Sequence, residues 1–282
     1  MIFIDNYKTF KTSKNNHILT VTFDYPPVNI QGLEMIRDLN MLSDKLEVDK
    51  DVKVVIFNSS VPNFFIAHAD VDMLQNLPTK KVPLNLIQVN DLAKVLNRIN
   101  KLPQVTIAQI EGYARGGGHE FAQACDMRFA ARGKAIFMQM EVGMGILPCG
   151  GGTTRLARQV GLGKALEIIL GAKDFNADEA ESYGSINKAL EPDEIGLYVY
   201  DLATRISKFP FEAIQACKRT IYASVNMSID ECLKVETYEL YQATSTTPAI
   251  SRFKYAAQTN FQDSLYNQKN FQTLLMDLQS IK

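Results

Sequence analysis

Hydrophobic and polar positions alternate near the start of the chain and then change to a helical spacing. His17–Tyr25 alternates between apolar and polar side chains, which indicates a half-buried strand. From Leu33 to Leu46 apolar residues recur every three or four positions, which predicts an amphipathic helix. The next apolar run, Val52–Phe57, has the length and β-branched composition of a strand that is buried on both faces. Strands and helices therefore begin to alternate early in the chain.

The alternation continues to about Leu190 and is followed by helical patterns alone. The spacing predicts strands over Phe64–Ala67, Val105–Ile110 and Ala135–Met138, and helices over Val71–Leu77, Leu86–Ile99, Glu120–Cys125, Thr153–Val160 and from a capping box at Asn176 to Tyr183. The later helical candidates are Ile195–Phe209, Phe211–Ala223, Ile229–Thr244 and Ala249–Gln258. We therefore predict an α/β core over residues 1–193 and a helical C-terminal region over residues 194–282.

Composition and charge narrow the class of protein. The chain has 282 residues, of which 46% are hydrophobic and 22% are charged, as in ordinary soluble proteins. Its net charge of −1 gives no global basic field, which argues against nucleic acid as a partner. The first residues lack the apolar core of a secretion signal, and no run of about eighteen apolar residues predicts a membrane span. Four cysteines without a CxxC pair favour reduced thiols, so we expect a cytoplasmic protein.

Two glycine runs, Gly116–Gly118 and Gly150–Gly152, each precede a predicted helix. Tight turns would explain them, because glycine adopts conformations that other residues avoid. They also suit a ligand site, because bare backbone lets a negatively charged group approach the free N–H groups at a helix start. Neither run has the spacing of a dinucleotide-binding motif or of a phosphate-binding loop. Nucleotide sites of those two types are therefore poorly supported.

Two glutamates lie close to these glycines. Glu120 falls in the first turn of the helix that Gly116–Gly118 opens, where a carboxylate can simply complement the helix dipole. Glu141 lies among methionines and aliphatic residues, where a charge is costly and the pKa of a carboxyl group tends to rise. That placement indicates a functional role or a partner for Glu141.

Other kinds of chemistry have little support in the sequence. The histidines at positions 17, 68 and 119 lack metal-ligand spacing, so we expect no metal site. The serine-hydrolase pattern GxSxG is absent. His119 adjoins Glu120, but neighbouring residues on a helix point apart, so we expect His119 to be structural.

Three ordered segments carry a resemblance to a known family. They are IAQIEGYARGGGHEFAQACD at 107–126, EVGMGILP at 141–148 and GGGTTRL at 150–156, with shorter matches at 27–29 and 65–70. Over about two thirds of its length, the chain resembles the enoyl-CoA hydratase/isomerase (crotonase) family. The motif set is long and ordered, which makes the match specific.

The resemblance implies a fold, an assembly and a substrate. The fold would be a spiral of ββα units, assembled as a homotrimer or a dimer of trimers with residues 194–282 at the subunit contacts. The substrate would be an acyl-CoA or acyl-carrier thioester of fatty acid metabolism. Coenzyme A would enter as part of that substrate, and no separate cofactor is implied.

The resemblance also assigns roles to residues. The main-chain N–H groups of Ala69 and Gly117 would hold the thioester oxygen, where developing negative charge is stabilised. Glu120 and Glu141 would be the two catalytic glutamates of a hydratase. From their surroundings we expect Glu120 to ionise more readily and act as the base, and Glu141 to be the proton donor. The implied substrate-binding residues are Ala67, His68, Asp70, Gly116, Met140, Pro148 and Cys149.

The chain departs from the family pattern at several of these positions. His68 stands where the family usually has glycine, Met140 where proline is common and Cys149 where a small residue is common, which suggests a reshaped acyl pocket. The segment 251–260 lacks the basic and aromatic pattern that helps typical hydratases to hold coenzyme A.

These departures leave several functions open. Hydration of a 2-enoyl thioester is our first expectation, because both glutamates are present. A double-bond isomerase, a thioester hydrolase or decarboxylase of the same fold, and an acyl-CoA-binding subunit without turnover are the alternatives.

Overall fold

A computed structural model of the chain describes residues 7–258 and 269–278. These residues form two compact units, divided between Ala203 and Thr204. The division falls inside the helix Ile195–Ser207, whereas the sequence pattern placed a boundary before it. The first turns of this helix carry the fully buried Ile195 and Val199, which the hydrophobic period alone could not assign to a particular unit.

The first unit contains two sheets. The strands of the larger sheet, in spatial order, are β1 (Phe10–Asn15), β2 (Ile18–Phe23), β3 (Val54–Ser59), β5 (Val105–Ile110), β7 (Met127–Ala131) and β10 (Lys188–Leu190). Those of the smaller sheet are β4 (Phe64–Ile66), β6 (Tyr113–Arg115), β8 (Ile136–Met138) and β9 (Phe175–Asn176). Neighbouring strands run parallel, except at the antiparallel pairs β1 with β2 and β8 with β9.

In three consecutive pairs of strands, the first strand belongs to the larger sheet and the second to the smaller one. β3, β5 and β7 belong to the larger sheet, and each is followed along the chain by a strand of the smaller sheet. The helices of this unit are α1 (Leu33–Leu46), α2 (Val71–Gln75), α3 (Asp91–Lys101), α4 (Gly117–Ala124), α5 (Gly152–Val160), α6 (Leu162–Gly171), α7 (Ala177–Ser182) and α8 (Ile195–Ser207). The repeated order of strand, strand and helix is a spiral of ββα units, as expected from the sequence.

Aromatic side chains fill the space between the sheets and α4. The ring of Phe121 on α4 packs edge-on against Phe23 and Phe57, with centroid distances of 5.2 and 5.0 Å. Phe65 of the smaller sheet contacts the same ring of Phe23 at 5.6 Å. Because α4 is packed on both sheets through these rings, its N-terminus is held in a fixed position.

The second unit consists of helices in its described part. These are α9 (Phe211–Ser224), α10 (Ile229–Thr244), α11 (Thr247–Gln258) and α12 (Phe271–Asp277). A bidentate ion pair joins α9 to α10, because Arg219 Nε and Nη2 donate to the two carboxylate oxygens of Glu239 at 2.8 and 2.6 Å. None of the helices in ranges 7–258 and 269–278 has the length and apolarity that crossing a bilayer requires.

Most predicted elements are confirmed, although several bounds differ, and the largest error is the start of α3. The helix expected from Leu86 begins only at Asp91, after the cap residue Asn90. Leu86 and Val89 fit the helical spacing, yet they are 66% and 61% exposed outside the helix. Sequence spacing also missed the helix α6 and the strands β1, β6, β7, β9 and β10.

A buried asparagine fixes the turn that precedes α1. Asn29 has φ 56°, its Oδ1 accepts from the Tyr25 amide at 2.8 Å, and its Nδ2 donates to Ser59 Oγ at 2.8 Å and to the Phe65 carbonyl at 2.9 Å. Replacement by alanine loses these bonds and strains a left-handed backbone. We expect Asn29→Ala to lower the free energy of unfolding by about 2–4 kcal/mol in urea titrations.

The matched control is Asn97→Ala at an exposed position of α3. It should change the free energy of unfolding by less than about 0.5 kcal/mol. Equal effects of the two substitutions would contradict the structural role of the Asn29 side chain.

Candidate active site

The N-terminus of α4 opens onto a cavity of about 420 Å³ in the first unit. Its wall is formed by the loop 68–70, the start of α4, the short 3-10 turn Glu141–Met144 and the start of α3. The lining is largely apolar, with Leu33, Val71, Met73, Leu74, Leu77, Leu92, Met140, Met144, Ile146 and Leu147. The cavity therefore suits an apolar ligand with one polar end.

The glycines at the start of α4 allow a close approach of three segments. Gly116 adopts φ 48°, a conformation that glycine tolerates. A Cβ on Gly118 would lie 2.0 Å from the Ile66 carbonyl oxygen, and one on Gly117 would lie 3.1 Å from the amide nitrogen of Ala69. Helix α4 therefore reaches the end of β4 only because side chains are missing there.

The loop that carries Ala69 is braced by Gln31. The amide of Gln31 donates to the His68 carbonyl at 3.0 Å, and the amide of Asp70 donates to the Gln31 carbonyl at 3.0 Å. The Asp70 side chain caps α2 by accepting from the Asp72 amide. This pairing leaves the Ala69 amide on the side away from Gln31. The main chains of Ala69 and Gly117 thus come close together at the cavity wall, beside the start of α4.

Glu120 is 2% exposed and is enclosed by the second glycine run. The amide of Gly152 donates to its Oε1 at 2.8 Å. A Cβ on Gly150 would lie 2.6 Å from Glu120 Oε2, so glycine gives the carboxyl group its space. Burial raises the pKa of Glu120, and the amides of Gly152 and Gly150 and the charge of Arg155 oppose that rise.

Glu141 also lines the cavity, with its Oε1 beside Gly116, and is half-buried. Burial, followed by the charge of Glu120, raises its pKa to about 7. The apolar surroundings predicted that direction. The pKa of Glu120 is raised as well, so the two carboxyl groups do not divide simply into a solvated and a desolvated one. Main-chain amides favour the ionised form of both groups, and the difference is that Glu120 faces the charge of Arg155 whereas Glu141 faces the charge of Glu120.

The structure brings together at one cavity all but two of the residues that the sequence had assigned to the site. Ala67 and Pro148 are buried and do not line it. The backbone of Ala67 is engaged with Val28 and Arg115, which explains its place behind the wall. The substrate-binding roles of these two residues stay predictions, since the motif match does not distinguish a lining residue from its neighbour.

His68 and Cys149 both line the cavity. His68 Nδ1 lies 2.8 Å from the Ala69 carbonyl oxygen, so the imidazole is tied to its own loop. Burial and the charges of Glu120 and Glu141 raise the pKa of the Cys149 thiol, which keeps it protonated. The thiol therefore serves as part of the wall.

Sequence reasoning missed three polar residues of the site. Asn90 caps α3 and donates to the Cys149 carbonyl at 3.0 Å, which ties the helix to the loop before α5. Gln31 and Gln139 are fully buried beside Gly117 and Glu141 respectively. The asparagine before α3 was a readable capping signal, whereas nothing in the local pattern marked the two glutamines.

This arrangement suits acid–base chemistry next to a polarised carbonyl. Two adjacent amides at a helix start can stabilise an oxyanion, and two carboxyl groups with raised pKa values can exchange protons near neutral pH. Among residues 7–258 and 269–278, no cluster of three or more histidine, cysteine, aspartate or glutamate side chains is arranged to hold a metal ion.

The chain is similar to known proteins over most of its length. A family model for enoyl-CoA hydratase/isomerase matches residues 13–264. The chain is 32% identical to the short-chain-enoyl-CoA hydratase of Clostridium acetobutylicum, over 83% of this chain and 88% of that protein. It is 33% identical to the mitochondrial methylglutaconyl-CoA hydratase of Mus musculus, over 77% of this chain and 69% of that protein.

A solved structure shares the fold. The enoyl-CoA hydratase from Bacillus anthracis superimposes with a TM-score of 0.81, and the match covers 90% of this chain and 97% of that one at 24% sequence identity. The ββα spiral expected from the sequence is therefore confirmed at the level of the fold.

Proposed function

The chain belongs to the enoyl-CoA hydratase/isomerase family, and on that basis we propose that it adds water across the 2,3 double bond of a 2-enoyl thioester of coenzyme A. One observation carries the proposal. Glu120 and Glu141 face the same cavity as the adjacent amides of Ala69 and Gly117. The reaction as proposed needs neither a metal ion nor a separate cofactor.

The thioester oxygen is the anchor of the proposed complex. It accepts hydrogen bonds from the Ala69 and Gly117 amides, which lie where the dipole of α4 favours negative charge. These donors strengthen as the oxygen becomes an enolate oxygen, so they lower the barrier rather than merely binding the ground state.

The two glutamates complete the addition. Glu120, ionised, takes a proton from water while the water oxygen bonds to C3, and the π electrons of the double bond move into the enolate. Glu141 then gives its proton to C2, and the carbonyl reforms. The charge of Arg155, which favours the ionised form of Glu120, and the pKa of about 7 at Glu141 support this division of roles.

The alternative activities make different demands on the site. A double-bond isomerase needs only one carboxyl group to move a proton, and a binding subunit without turnover needs none. Two carboxyl groups with raised pKa values, both at the cavity, favour hydration over these alternatives. Assembly as a homotrimer or a dimer of trimers, and a place in the cytoplasm, remain predictions from the sequence.

The direct test uses a panel of 2-enoyl-CoA substrates. Hydration removes the conjugated enoyl-thioester absorbance, so its loss over time measures the activity. Turnover with the release of no free thiol supports hydration. Tight binding without any loss of absorbance would instead support the binding subunit, and appearance of free coenzyme A would support a hydrolase.

The cavity also predicts which acyl groups are accepted. Apart from His68, the ionisable side chains that line it are the carboxyls Asp70, Asp91, Glu120 and Glu141 and the thiol Cys149, and its described lining contains no lysine or arginine. An acyl group ending in a carboxylate would enter this wall without a fixed cation to compensate its desolvation.

We expect kcat/KM for 2-pentenoyl-CoA to exceed that for glutaconyl-CoA by about 10²-fold or more. The two substrates have the same chain length and differ in the terminal carboxylate, so steady-state kinetics isolate the effect of charge. Equal values would show that this chain resembles its methylglutaconyl-CoA hydratase relative in substrate choice, and His68→Gly would then test whether the imidazole supplies the missing cation.

A further inference from the structure

A chain of buried polar side chains leads from Ser185 through His119 to Gln139 and Glu141. Ser185, His119 and Gln139 are fully buried. His119 Nε2 lies 3.3 Å from Ser185 Oγ, and its Nδ1 lies 3.1 Å from the side-chain amide of Gln139. The sequence had suggested only a structural role for His119, because neighbouring residues on a helix point apart. The His119 side chain is instead connected to the other glutamate, Glu141, through hydrogen bonds with Gln139.

The Gln139 amide satisfies both neighbours in one orientation. In that orientation its Nε2 lies 3.3 and 3.0 Å from Glu141 Oε1 and Oε2, and its Oε1 accepts from His119 Nδ1. The reverse orientation would place an acceptor against the Glu141 carboxylate. Gln139 therefore requires a hydrogen on His119 Nδ1.

The surroundings of His119 favour that hydrogen position. Burial, assisted by the charge of Arg128, lowers the pKa of His119 to about 3, so the ring is neutral and carries one N–H. Gln123 Nε2 lies 3.3 Å from His119 Nε2 and 3.4 Å from its Nδ1, so this contact does not distinguish the two ring nitrogens. Gln139 Oε1 faces Nδ1 and can only accept, which places the hydrogen on Nδ1, and Nε2 can then accept from the hydroxyl of Ser185.

We propose that His119 is a positioning residue for Glu141, because its Nδ1–H holds the Gln139 amide with the NH2 group towards the Glu141 carboxylate. The inference rests on the proposed function, since it gives Glu141 its role in hydration. The hydrogen bonds from Gln139 stabilise the ionised form of Glu141 and fix the direction from which its proton leaves. Without them, the carboxyl group would keep its proton to higher pH and lose its fixed orientation.

A packing role and a positioning role for His119 predict different effects of substitution. His119 also contacts the rings of Phe137 and Phe175, with centroid distances of 5.4 and 5.5 Å. A leucine would keep much of that apolar contact but would offer Gln139 no donor. An asparagine would keep a donor in a smaller side chain.

The test compares His119→Leu, His119→Asn, Gln139→Met and the double variant His119→Leu/Gln139→Met. The readouts are the pH profile of hydration and the pKa of Glu141, measured by carboxyl-carbon NMR. The groups that face Glu141 are Glu120 on α4 and Cys149 on the loop before α5, while Arg128 acts on His119. None of these groups is altered in the variants.

We expect His119→Leu to lower kcat by about tenfold with KM nearly unchanged, because a misaligned proton donor slows the chemical step. The alkaline limb of kcat, where Glu141 loses its proton, should move up by about one pH unit. Gln139→Met should do the same, the double variant should be no worse than either single one, and His119→Asn should restore most of the wild-type profile.

A wild-type alkaline limb in folded His119→Leu, or additive losses in the double variant, would overturn the proposal. If His119→Leu does not fold, Gln139→Met carries the test, and an unshifted limb there overturns it equally. If the wild-type protein hydrates no enoyl-CoA, the proposed function fails. The NMR titration of Glu141 then still decides whether His119 and Gln139 control its pKa.

Discussion

Glu120→Gln is expected to lower kcat for hydration by about 10³-fold, while the Kd for a saturated acyl-CoA changes less than about threefold. The amide keeps the size of the carboxyl group and can still accept from the Gly152 amide, so the second glycine run retains its place. The substitution removes the carboxylate that takes a proton from water. The loss of enoyl-thioester absorbance over time gives kcat, and calorimetry with a saturated acyl-CoA gives the Kd.

Glu167→Gln is the matched control for this substitution. Glu167 lies on α6 and pairs with Lys164 at the surface, away from the cavity lining. Its replacement should leave both kcat and Kd unchanged. A fully active Glu120→Gln enzyme would remove Glu120 from the mechanism and favour a reaction that uses Glu141 alone.

Gly117→Ala is expected to lower kcat by about 10²–10³-fold, because it disturbs both amides that hold the thioester oxygen. The new Cβ would lie 2.2 Å from Gln31 Oε1 and 3.1 Å from the Ala69 amide nitrogen. Gln31 is fully buried, and its backbone braces the loop that carries Ala69. We expect relief of the two contacts to move the Gln31 side chain and, with it, the loop or the start of α4.

The matched control is Gly163→Ala on α6, where an added Cβ meets nothing within 4 Å. This variant should keep wild-type activity and gain a little helix stability. Adding Gln31→Ala to Gly117→Ala removes the nearest obstacle and should recover part of the lost rate. Wild-type kcat in Gly117→Ala would exclude the Gly117 amide as an oxyanion donor.

Local patterns in the sequence were enough to place several elements accurately. The helix Leu33–Leu46 and the strand Val105–Ile110 have the predicted bounds, and the capping box at Asn176 is present. These features depend on side-chain period and on hydrogen bonds within one turn, which lie within a few residues along the chain. The helix expected from Leu86 was misplaced because exposed apolar residues can match the period by chance.

The sequence alone determined the glycine runs that permit close backbone approach and the presence of two glutamates near them, and its resemblance to a known family predicted the ββα architecture. Only the tertiary structure decided that these glutamates share a cavity, that Gly150 and Gly152 enclose Glu120, and that Gln31, Gln139 and His119 support the site from behind. The physical reason is that a pKa or a hydrogen-bond orientation depends on every group that burial brings close. Those groups come from segments that are distant along the chain and have no common local pattern.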